Sequence, residues 1–93
     1  MQDWISELRD LSSRLNRARK EVNNPNLWLI ADYLADIMRL LDVDGREAAK
    51  ELERLASRAI SAADRDPTIY MLARQLLFYA KRIKDMVERW EHE

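Results

Sequence analysis

Residues 66–83 read DPTIYMLARQLLFYAKRI, and this stretch decides the fold class. Ile69, Leu72, Leu76, Tyr79 and Ile83 recur at spacings of three and four, and Met86 and Trp90 continue the series. That is the apolar stripe of a packed α-helix; a half-buried strand would alternate every second residue. Pro67 suits a first helical position, where its missing N–H costs nothing. Asp66 before it can cap the free N–H groups of the first turn. The stretch predicts a helix over 67–91.

The same grammar recurs outward from it. Trp4, Leu8, Leu11, Leu15, Ala18 and Val22 predict a helix over 3–22. Leu27, Ile30, Leu34, Ile37 and Leu41, opened by Asn24-Pro25, predict one over 25–41. Ala48, Leu52, Leu55, Ala59 and Ala62 predict one over 45–63. Asp44 and Glu47 form an Asp-x-x-Glu variant of the capping box at its start, and Val43 with Ala48 occupies the positions of a hydrophobic staple. Only a few residues lie between helices, so consecutive helices must run antiparallel. The expected fold is all-α, one domain over 1–93, with four antiparallel helices in two stacked hairpins. An up-down bundle and a short two-repeat solenoid both satisfy the pattern.

The hairpins are related in sequence. Residues 6–18 align with 50–62 through Glu7/Glu51, Leu8/Leu52, Leu11/Leu55, Arg14/Arg58 and Ala18/Ala62. Residues 25–41 align with 67–83 through Pro25/Pro67, Ala31/Ala73 and Leu34/Leu76. Two readings account for this: the common patterning of amphipathic hairpins, or two stacked units of about 42–44 residues.

Composition removes many functions. The chain has 93 residues, no Cys, one His and one Gly. It therefore offers no disulfide, no thiol nucleophile, no histidine metal cluster and no glycine-rich phosphate loop. Sixteen Lys and Arg against seventeen Asp and Glu give a net charge of −1, without the basic excess of a nucleic-acid binder. Apolar runs such as Leu27 to Ala31 fall far short of the ~20 residues that span a bilayer. Met1-Gln2-Asp3-Trp4 shows neither basic stretch nor cleavage pattern, so no signal peptide is expected.

The Asn24-Pro25 and Asp66-Pro67 starts, the Asp44/Glu47 cap, the minimal loops, the lone Gly45 and the charged surfaces are choices that design rules prescribe. In these features the whole chain resembles de novo designed helical bundles and designed helical repeat proteins. Tetratricopeptide repeats share the Asn/Asp-Pro helix starts, but they repeat every ~34 residues and carry a Trp-x-x-Leu-Gly signature missing around Trp28.

Helices two and four carry more apolar residues than one buried stripe needs. With the core side of helix four near Leu72, Leu76 and Ile83, Tyr70 and Leu77 point roughly 120–140° away, and Met71 and Phe78 lie on the opposite flank. Arg74 and Gln75 are the polar residues between Ile69 and Ala80. On helix two, Trp28 points outward, and Leu29, Tyr33 and Leu40 line one flank. Neighbouring helices could absorb some of these. A partner surface is the other reading, because aromatic residues, Met and Arg are what interface cores favour. The candidate partner-binding residues are Trp28, Leu29, Tyr33, Tyr70, Met71, Arg74, Leu77 and Phe78. If both hairpins begin their second helix at the same end, these form one broad surface.

Other chemistry is weakly represented. Leu76-x-x-Tyr79-Ala80 resembles a BH3 helix until Lys81 stands where that motif has Asp. Asp32 and Asp36 share a helix face with no His nearby, and Asp42-Val43-Asp44-Gly45 lacks the rest of a calcium loop. Arg14 to Lys20 is basic, which suits the end of a helix. No catalytic, cofactor-binding or metal-binding residue is expected, and no enzyme, cofactor, nucleic acid, membrane or small-molecule substrate. The expected function is a designed module that presents helix four, with helix two, to a protein target. The alternative is a structural or self-associating bundle that offers the same surface to a second copy.

Overall fold

The computed structural model describes residues 3–92, and the side chains of residues 5–89. It is all-α, with four helices: α1 (Asp3–Ala18), α2 (Pro25–Leu41), α3 (Gly45–Ala63) and α4 (Pro67–His92). Consecutive helices pack against each other, and the molecule measures 45 × 24 × 20 Å. The long dimension follows α4, whose 26 residues extend ~39 Å at 1.5 Å per residue. Tyr79 of α4 also faces Glu7 of α1. A side chain of the first helix thus reaches the last, while the extensive packing runs between consecutive helices, α1 with α2, α2 with α3 and α3 with α4, as in an all-α four-helix bundle.

The caps form where the sequence places them. Asn24 accepts from the Asn26 N–H at 3.1 Å, and Asp66 accepts from Thr68 at 3.1 Å and Ile69 at 3.3 Å. Asn24 also donates its amide to Asp66 at 3.1 Å, tying the starts of α2 and α4 together at one end. The capping box of α3 is only half closed. Asp44 accepts from the Glu47 N–H at 3.1 Å, but its own N–H is already committed to the Leu40 carbonyl at 2.7 Å. Val43 is 84% exposed, so the staple with Ala48 does not form.

The centre of the bundle is Leu8, Leu34, Leu52, Ile69, Leu76 and Ile83, all fully buried. The α3–α4 pair is the most intimate, because α3 buries Ala48, Ala49, Ala56, Ala59 and Ala63, and α4 buries Ala73 and Ala80. Small side chains let two helices close to the short end of the usual spacing. At one end Gly45 is so near α4 that an added Cβ would lie 3.0 Å from Cγ2 of Val87.

Two expectations need correction, and one backbone feature is new. The first helix stops at Ala18 rather than 22; residues 19–21 form a turn, with Glu21 and Val22 both donating to the Ala18 carbonyl at 2.9 Å. Arg19, Lys20 and Glu21 offer nothing apolar to bury, and Val22 is exposed. Near the end of α3, Ala63 is buried and Ala62 is exposed. Finally, Asp64 leaves that helix at φ 42°, ψ −89°, a conformation outside the regions an L side chain occupies comfortably. The stripe positions Trp4 and Trp90 lie outside the described side chains.

Candidate protein-docking surface

The capped start of α4 orients everything that follows on it. With Ile69, Leu72, Leu76 and Ile83 held inward, helical geometry projects Tyr70, Met71, Arg74 and Phe78 away from the core. Met71 is 66% exposed, Phe78 55% and Tyr70 43%, all within two and a half turns. Large apolar side chains carry ~200 Å² each, so this cluster shows about 300 Å² of apolar surface. That is the size of the largest patch on an ordinary monomer, a patch often used in binding. Tyr70, Met71, Arg74, Gln75, Phe78 and Tyr79 line one shallow depression.

Arginines organise these rings. Arg74 donates to the Tyr70 hydroxyl at 3.3 Å, with its Cζ 5.9 Å from the ring centroid. Arg82 sits 5.5 Å over the Phe78 ring, one turn further along. Phe78 meets Tyr79 edge to face, with centroids 5.7 Å apart and planes at 68°. Tyr79 itself is buried. Burial raises its hydroxyl above the ordinary value; the negative charge of Glu7 and a hydrogen bond to that carboxylate add to the rise, and Arg14 opposes it. The rings of α4 are thus anchored from the bundle side and open to solvent on the other.

The remaining candidates are placed elsewhere. Leu77 is half-buried and packs against the core, outside the depression that the exposed rings line. Trp28 is half-covered and donates its indole N–H to the Val22 carbonyl at 2.9 Å, clasping the loop between α1 and α2. It lies in a separate depression with Asn16, Arg19 and Lys20. Tyr33 is exposed in a groove between α2 and α3 with Asp36, Ile37 and Leu40, and Leu29 is exposed on the same helix. The second helices of the two hairpins do start at one end, yet the structure separates their apolar residues into distinct grooves instead of one broad surface.

The carboxylates of α2 and its following loop have structural partners. Asp32 pairs with Arg19 of the preceding loop, Asp36 with Arg39 at 2.8 Å, and Asp42 with Arg9 of α1 at 3.1 Å. Among the described residues no group of three or more His, Asp or Glu could hold a metal ion, and no helix is long and apolar enough to cross a membrane. Sequence reasoning missed the ring-stacked arginine at position 82. Its signal is legible in retrospect, since Phe78 and Arg82 stand four residues apart, as Tyr70 and Arg74 do. No protein-family model matches the chain, and no curated protein and no solved structure matches it.

Proposed function

We propose that the chain is a designed helical scaffold whose α4 face docks a protein partner. The observation that carries this is the exposure of Tyr70, Met71 and Phe78 on a helix whose opposite side is fully engaged by the core. Their composition is that of binding hot spots, in which aromatic and Arg anchors hold most of the energy. Their rigidity adds to it, since Tyr and Phe immobilise few torsions on binding. A standard interface covers ~800 Å² on each side. The apolar cluster therefore supplies the centre, and the polar side chains around it supply the rim.

The test compares wild type with the Tyr70→Glu/Phe78→Glu double variant on an array of purified proteins. The reading expects at least one partner bound by wild type and lost by the variant, with the variant still folded by circular dichroism. Equal capture by both, or capture by neither, refutes it. Sedimentation equilibrium separates the alternative: a dimer that dissociates on the same substitutions assigns the face to a second copy of the chain.

A further inference from the structure

The charges that α4 itself carries through the cluster are of one sign, and the first acidic residue after it is Asp85, one turn beyond Lys81 and Arg82. From Thr68 to Lys84 the helix carries Arg74, Lys81, Arg82 and Lys84 and no Asp or Glu, in a chain whose net charge is −1, although Lys84 lines a separate groove toward α3 with Glu53 and Glu88. All four cations are exposed. Several arginines of the other helices face carboxylates, as in Arg14–Asp10 at 3.3 Å and Arg54–Glu51 at 2.7 Å. Among the described residues the four cations of this stretch have no carboxylate partner, and two of them lie on aromatic rings instead. Of the carboxylates on α1, Glu7 meets the Tyr79 hydroxyl and Asp10 pairs with Arg14.

We infer that the occupant of this face is an acidic amphipathic segment of another protein, with apolar side chains over Met71 and Phe78 and carboxylates meeting Arg74 and Arg82. The inference rests on the docking role assigned to α4 above and names the chemistry of its partner. A guanidinium presents a planar fork that a carboxylate fits with two parallel hydrogen bonds, so each arginine adds direction as well as charge. A second copy fits poorly. A second copy brings the same stretch, Thr68 to Lys84, with four cations and no carboxylate, so it offers Arg74 and Arg82 no acidic partner there. An anionic membrane fits poorly for another reason. Interfacial helices keep cations beside the apolar stripe, whereas Arg74 lies within the patch, between Tyr70 and Phe78. Insertion would carry its charge toward hydrocarbon.

The experiment selects binders from a displayed library of helical peptides. One helix face is randomised with equal odds of Glu, Lys and apolar residues. Selection is on the intact wild-type chain, with counter-selection on Met71→Glu/Phe78→Glu. The expected survivors hold more acidic than basic positions. Their affinity falls roughly tenfold or more with Arg74→Glu/Arg82→Glu, whose fold is checked by its melt, and it falls again as salt is raised. Survivors that are neutral or basic, yet still lost on Met71→Glu/Phe78→Glu, overturn the acidic partner and leave the docking face standing. Absence of any survivor that distinguishes the counter-selection variant overturns both. Tighter sedimentation with phosphatidylserine vesicles than with any selected peptide, or a dimer that dissociates on Phe78→Glu, also overturns the inference.

Discussion

Leu76 and Phe78 are two residues apart on α4, and replacing each measures how sharply the helix divides into a core side and a docking side. Leu76 is fully buried and Phe78 is 55% exposed. Leu76→Ala removes a side chain from the middle of the bundle and leaves a cavity, which costs about 2–5 kcal/mol. Phe78→Glu removes less. Somewhat under half of a ~200 Å² side chain is covered, so at ~25 cal/mol/Å² at most about 2 kcal/mol of burial is lost. The edge contact with Tyr79 and the stacking under Arg82 go as well, at ~0.5 kcal/mol each for such an exposed site. The aliphatic stem of glutamate recovers part of the burial. Its carboxylate lies one turn from both Arg74 and Arg82, and each such pair returns about 0.3–0.5 kcal/mol. The net cost is about 1 kcal/mol. For a 93-residue domain ~1 kcal/mol corresponds to ~4–8 °C in Tm. Thermal melts followed by circular dichroism should therefore show a drop of ~4–8 °C for Phe78→Glu and at least twice that for Leu76→Ala. If both fall equally, Phe78 is covered in solution and the assignment of α4 to a docking role is wrong.

Three further substitutions probe the frame that holds this face. Gly45→Ala gains ~0.4–1 kcal/mol from a stiffer unfolded chain but presses a methyl onto β-branched Val87. It should be neutral or destabilising alone and stabilising by about 0.5 kcal/mol in a Val87→Ala background; the same urea midpoint shift in both backgrounds counts against the close α3–α4 contact. Asp64→Gly should stabilise by ~0.5–1 kcal/mol, because glycine relieves the positive φ at the end of α3 at a smaller entropic cost; a loss in chemical denaturation refutes the strain. Tyr79 is held above its ordinary value near 10, so the unfolded chain loses that proton first as pH rises. Its contribution is full below pH ~10 and is lost as pH climbs beyond it, and Tyr79→Phe should flatten that alkaline decline in urea midpoints measured from pH 8 to 12. An identical decline in the variant refutes the link.

Much of the fold is written locally. Asn24, Asp44 and Asp66 cap the helices they precede, Pro25 and Pro67 stand at first helical positions, and the apolar spacings between them fix which side of each helix turns inward. These are one-dimensional signals, because capping and periodicity involve residues within a turn or two of each other. The same spacings identified Tyr70, Met71, Arg74 and Phe78 as outward-facing.

Whether an outward-facing residue is free depends on where the next helix lies, and periodicity around one axis carries no such information. Trp28 and Phe78 both read as outward aromatics; the loop after α1 offers the Val22 carbonyl to one, and the other stays 55% exposed. Leu77 and Met71 both lie off the stripe; the packing covers Leu77 and leaves Met71 open. Gly45 looked like a residue of a helix start, and only the position of Val87 on α4 gives it a packing role. The sequence by itself determined four helices, their starts and their inward faces, because those are set by neighbours along the chain. The tertiary structure alone decided that Tyr79 of α4 reaches Glu7 of α1, that the apolar flanks of α2 and α4 stand apart, and that Met71 and Phe78 are left uncovered. Those are relations between helix axes, and they come from how closely alanine-lined and leucine-lined faces approach.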